Sequence, residues 1–235
     1  MDDLLDLDDS YYVYTVIEDL DEFRTADVIK SMHFPLLLEM LVRKNSGQVH
    51  SLSCGGLLNA QILSLVADHA QSLRTLKMPG TNLSKDSTIF ETVLAVRLSS
   101  FLVHLDISKC YGIGASAIRA IGYNCKNLAR LDMNFIMTNN GTSDEEAFAV
   151  ASTMPKLKHL EISHLTIFNE GVLNILNSCT QLQYLDISGC SYLQGCERLF
   201  ENFSGLKVFL PQQESEKTLF LMDNLYLTCF FKYPI

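Results

Sequence analysis

Six of ten residues in FLVHLDISKC (101–110) recur 80 positions later in QLQYLDISGC (181–190). The two copies belong to a series. NLARLDMN (127–134) and KLKHLEIS (156–163) lie between them, SLRTLKMP (72–79) and QVHSLSC (48–54) lie upstream, and GLKVFLP (205–211) lies downstream. The first apolar residues are Val49, Leu73, Leu102, Leu128, Leu157, Leu182 and Leu206, at intervals of 24, 29, 26, 29, 25 and 24. A period of that size requires one supersecondary unit per copy, because a single unit cannot bury its own apolar face.

The unit can be read from spacing. In L-x-x-L-x-L the last two apolar residues are two apart, so they share one face of a short strand. Leu131 with Met133, Leu160 with Ile162, and Leu185 with Ile187 are expected to point inward. Parallel pairing of successive strands requires a crossover, and the intervening sequence supplies helices. NAQILSLVADHA (59–70) has Ile62, Leu63, Val66 and Ala67 on one stripe. GASAIRAIGYN (114–124), SDEEAFAVAS (143–152) and NEGVLNILN (169–177) follow. Ser143 is the expected cap of the third helix, with Glu146 in capping-box position, and Asn169 that of the fourth. The expected fold class is α/β: a leucine-rich-repeat solenoid, a right-handed horseshoe arc with parallel strands on the concave face and helices on the convex face. Residues 49–211 make about seven units. An acidic tail at 1–20 and a capping segment at 21–48 precede them, and a tail at 212–235 follows.

The seven cysteines, Cys54, Cys110, Cys125, Cys179, Cys190, Cys196 and Cys229, form no C-x-x-C pair, so zinc is not the expected reading. Cys125 and Cys179 fall at helix-to-strand junctions, and Cys110 and Cys190 fall just past strands, where small buried thiols pack well.

Composition closes off other functions. Hydrophobic residues make up 48% of the 235 residues and charged residues 19%, enough apolar content for a large core. A formal charge of −9 opposes nucleic-acid binding, which needs cations for phosphates. No apolar run approaches the roughly 18 residues of a bilayer span. The opening MDDLLDLDDS does not read as a secretory signal. With that and the unpaired thiols, a cytoplasmic or nuclear protein is expected. GTNLSKDST (80–88) lacks phosphate-loop spacing, and no G-x-S-x-G occurs. No catalytic residue, cofactor or metal is expected. His159, Glu161 and His164 do not share the fixed spacing a metal site needs.

The pattern C-x-x-L-x-x-L-D-I-S-x-C resembles the cysteine-containing class of leucine-rich repeat. The run LVHLDISKCYGIGASAIRAIGYNCKNLARLDMNF (102–135), continued by 144–190, is similar to small plant F-box/leucine-rich-repeat proteins of the Skp-interacting type. The resemblance covers about 34–211. It implies a substrate-recognition part of an SCF-type (cullin-RING) ubiquitin ligase. In that family an F-box docks a Skp-type adaptor and the repeats hold the protein to be ubiquitinated and degraded. The sequence departs from the family at its start. Residues 1–45 contain no Leu-Pro and the chain has no Trp, so no F-box is visible. A Skp-type adaptor is therefore an expected partner only if a docking segment exists. The alternative is a stand-alone scaffold or decoy that captures the same targets without delivering them.

The surface expected to hold a target is the concave face. One column of outward residues reads Lys77, Asp106, Asp132, Glu161, Asp186, and its neighbour reads Thr75, His104, Arg130, His159, Tyr184. Stacked carboxylates repel, and His104, Arg130 and His159 are placed to offset part of that. The candidate binding residues are His104, Asp106, Arg130, Asp132, His159, Glu161, Tyr184 and Asp186. The expected guest is a basic or amide-rich segment, with Tyr184 as an aromatic anchor.

Overall fold

A computed structural model describes residues 15–16, 49–54, 60–69, 72–81, 101–135 and 144–211. The expected capping segment, the C-terminal tail and all but two residues of the N-terminal tail lie outside these.

Among the described residues eight strands form one sheet in chain order: β1 (Thr15–Val16), β2 (Ser51–Cys54), β3 (Thr75–Lys77), β4 (His104–Asp106), β5 (Arg130–Asp132), β6 (His159–Glu161), β7 (Tyr184–Asp186) and β8 (Lys207–Phe209). β2 to β8 are parallel. β1 runs antiparallel to β2, so Thr15 and Val16, assigned to the acidic tail by sequence, lie at the sheet edge. The register puts Leu52, Leu76, Leu105, Leu131, Leu160 and Leu185 in one row, each fully buried. A second buried row follows: Met78, Ile107, Met133, Ile162 and Ile187. Full burial of each such side chain contributes about 1.5–3 kcal/mol, and only its neighbours in the stack can bury it.

Among the described residues four helices form the second layer: Ala60–His69, Ala115–Asn124, Glu145–Thr153 and Asn169–Ser178. The last crossover is a short 3-10 turn, Cys196–Phe200. Strands sit about 4.8 Å apart whereas packed helices need about 8–10 Å, so the helical side is longer and the sheet is the concave side. Among the described residues no helix is long and apolar enough to cross a membrane.

Side chains at two helix starts make contacts between repeats. Ser143 lies outside the described residues, and Asp144 stands at the cap position of Glu145–Thr153, where its carbonyl accepts from the Phe148 amide but its side chain makes no cap bond. Its carboxylate crosses to the next helix, accepting from the Phe168 and Gly171 amides at 2.8 Å each. Asn169 is likewise not a cap. It is the first residue of its helix, and its side chain exchanges hydrogen bonds with the Gln194 backbone. Stacking brings backbone groups of the next unit within hydrogen-bond reach of these side chains.

The cysteines pack as expected. Cys125 and Cys179 close their helices, and all six described cysteines are buried and outside any disulfide. Cys110 Sγ donates to Met78 O and Cys190 Sγ to Ile162 O, each at 3.1 Å and each one repeat back. Burial pushes both thiols up to about 12, so they stay protonated.

Past each of β3 to β7 the chain turns through a left-handed residue. Gly80, Lys109, Phe135, His164 and Gly189 all have φ between 54° and 72°. In the first four the conformation aims the amide at the next repeat: Gly80 donates to Ser108 O, Lys109 to Asn134 O, Phe135 to Ser163 O and His164 to Ser188 O, at 2.7–3.0 Å. The sheet ladder therefore continues beyond the strands.

Candidate functional site: the concave face

Both predicted columns exist. His104, Arg130, His159 and Tyr184 are in register across β4 to β7, and so are Asp106, Asp132, Glu161 and Asp186. The carboxylates nevertheless do different jobs. Asp106 and Asp186 each accept, through Oδ1, the amide of the serine two residues on: Ser108 at 2.9 Å and Ser188 at 2.8 Å. These local bonds fix the turn and explain why LDIS is written as it is.

Asp132 and Glu161 are drawn sideways instead. Asp132 accepts from His104 Nε2 at 2.8 Å and from Arg130 Nε at 2.9 Å. Glu161 accepts from Arg130 Nη2 and His159 Nε2, each at 2.8 Å, and from Asn134 Nδ2 at 3.0 Å. The turn amides these carboxylates leave are taken from the preceding repeat: Asn134 N by Ser108 Oγ, and Ser163 N by Asn134 Oδ1. The expected charge compensation by His104, Arg130 and His159 is thus met in detail. Asp132 is only 4% exposed, because its partners cover it. Burial raises the Asp132 carboxyl, but the His104 and Arg130 hydrogen bonds and charges outweigh that and hold it below the ordinary 3.8.

A metal reading meets the same obstacle. Asp132, His159 and Glu161 place ligand atoms within 4.8 Å of one another, but the Arg130 guanidinium already bonds to both carboxylates. A cation would have to displace it. His164 stands apart, stacked on Phe135 with centroids 3.8 Å apart.

The C-terminal half of the face is aromatic. His159 stacks on Tyr184 at 4.0 Å and 5°, and Tyr184 meets Phe209 at 5.3 Å. Lys207 Nζ lies 5.5 Å from the Tyr184 centroid and 4.9 Å from that of Phe209. Lys207 and Phe209 extend the two columns by one strand. Sequence reasoning missed both, although carrying the columns into GLKVFLP would have found them. Lys109 and Phe135, on the rim, had no such signal.

A seven-stranded parallel array with one helix or turn at each described crossover and buried thiols at the junctions defines a leucine-rich-repeat solenoid of the cysteine-containing type. The chain's curated homologues are F-box and F-box/leucine-rich-repeat proteins of Arabidopsis thaliana. F-box protein FBW2 is 41% identical over 78% of this chain and 58% of its own length. Putative F-box/LRR-repeat protein 23 is 32% identical over 59% of this chain and 32% of its own. F-box protein SKIP1 is 28% identical over 80% and 67% respectively. The chain therefore spans only part of the relatives it matches. No protein-family model matches it. Among solved structures, the tropomodulin C-terminal domain of Caenorhabditis elegans is similar with a TM-score of 0.47 and 9% identity, covering 63% of this chain and 92% of that one.

Proposed function

We propose that this chain is the target-holding part of an SCF-type ubiquitin ligase receptor. It is non-catalytic and presents its concave face to a protein that is then ubiquitinated and degraded. The homology to F-box and F-box/leucine-rich-repeat proteins supports the ligase setting. The observation that carries the binding surface is the in-register pair of columns across β4 to β8, which sets Arg130, His159, Tyr184 and Lys207 side by side on a rigid sheet. Within it Asp132 and Glu161 position the basic residues, while Tyr184, Phe209 and Lys207 meet the guest. A reduced thiol core suits the cytoplasm or nucleus.

Two measurements test this. A photo-cross-linking residue at Tyr184 should capture proteins that carry ubiquitin and accumulate under proteasome inhibition, whereas one at Tyr123, on the helical side, should not. Pull-down should also recover a Skp-type adaptor. Capture at Tyr184 without adaptor or ubiquitin would favour the stand-alone scaffold. Equal capture at both positions would remove the concave face from the proposal.

A further inference from the structure

Past β3, β4, β5 and β6 the left-handed residue aims its amide at the next repeat, and Gly189 past β7 keeps the same conformation. Glycine takes that conformation without steric cost, and glycine occupies both ends of the series, at Gly80 and Gly189. The three repeats between carry side chains instead: Lys109 (φ 58°), Phe135 (φ 54°) and His164 (φ 60°). Each is kept against a penalty of about 1–2 kcal/mol that a glycine would avoid. The backbone ladder does not explain the choice, because glycine would make the same bond.

What the three share is a ridge along the rim. Lys109 Nζ lies 5.8 Å from the Phe135 centroid. Phe135 stacks on His164 at 3.8 Å and 15°. His164 in turn covers Gly189, where a Cβ would come within 2.6 Å of the imidazole. Phe135 is 40% exposed despite its stacking. A second group of the same make-up, Lys207 over Tyr184 and Phe209, stands at the other end of the face.

The charges select the guest. Arg130 is committed to Asp132 and Glu161, but Lys109 and Lys207 form no ion pair among the described residues. Two of the acids that suggested a basic guest, Asp132 and Glu161, are neutralised by these pairs, and Asp106 and Asp186 hold their own turns. Lys109 lies five residues past His104, in the row that Lys207 continues, and the two stand four strand spacings, about 19 Å, apart across the sheet. An extended segment of about seven or eight residues, running obliquely, covers that separation at about 3.3 Å per residue.

We propose that the Lys109–Phe135–His164 ridge and the Lys207–Tyr184–Phe209 group are two anchors of one peptide site. The site takes an extended segment of a partner protein with a carboxylate at each end and apolar or aromatic side chains between. This rests on the concave face being the target-holding surface and gives that target its chemistry.

The probe is a fluorescein-labelled heptapeptide, Asp-Ser-Leu-Gly-Phe-Ser-Asp, with a counterpart ending in Lys at both places, titrated by anisotropy into the full chain. The acidic peptide should bind saturably and the Lys-ended one should not. Lys109→Glu and Lys207→Glu should each weaken binding about tenfold or more. Phe135→Gly should do the same while its melting temperature stays at or above that of the parent, which separates lost contact from lost fold. No binding of the acidic peptide, or equal binding of the Lys-ended one, overturns the site, as does indifference to all three substitutions. The Tyr184 cross-linking experiment tells the two failures apart. If its cross-links persist unchanged in the three variants, the peptide site falls and the target-holding face stands; if the parent gives none, the face itself falls.

Discussion

Asp132 shows how one carboxylate changes role with its neighbours. Its counterparts Asp106 and Asp186 secure their own turns. Asp132, flanked in register by His104 and Arg130, instead becomes the buried hub of a charged network. Because its pKa is lowered on folding, the stability it contributes is fully present above about pH 3.8. It is lost as pH falls through the depressed folded value. Asp132→Asn should cost about 1.5–3 kcal/mol at neutral pH, the range for hydrogen bonds to charged groups. Urea unfolding at descending pH should show parent and variant converging below about pH 3.8. A constant gap down to pH 2 would mean that the carboxylate charge is not what the site uses.

At the scale of elements, the joints between repeats set the geometry. Gly171 lies in the first turn of Asn169–Ser178, where alanine would ordinarily favour the helix by about 1 kcal/mol. Here a Cβ would sit 2.7 Å from the Asp144 carboxylate and 3.0 Å from Ala147 Cβ. Gly171→Ala should therefore destabilise the chain by about 1–3 kcal/mol. In an Asp144→Ala background, which vacates the space, the penalty should shrink. Equal penalties in both backgrounds would show that the close approach is not the cause. Asp144→Ala alone should cost about 0.5–2 kcal/mol, the usual value of a cap.

For the whole molecule, the solenoid makes stability a sum of neighbour terms. Leu160→Ala, in the middle of the buried row, should cost about 2–5 kcal/mol. Combined with Leu105→Ala, two strands away and about 9.6 Å distant, the costs should add to within about 0.5 kcal/mol. Combined with Leu131→Ala, its direct partner in the register, they should not. Chemical denaturation of the single and double variants measures both, and additivity in the two pairs alike would contradict nearest-neighbour coupling.

The repeat, the inward leucines, the crossover helices and the order of both concave columns were legible in the linear pattern. Period and alternation are properties of consecutive residues, and each unit states them again. Only the tertiary structure decided which carboxylates are free, that Asp144 and Asn169 serve the following repeat, and that Phe135 and His164 stand left-handed on the rim. Those outcomes depend on atoms 24 to 29 residues distant, brought together by the stacking register and by the rotamers it permits. No local preference of Lys109 or Phe135 announces their conformation, since the bond that holds it is made by the next turn of the solenoid.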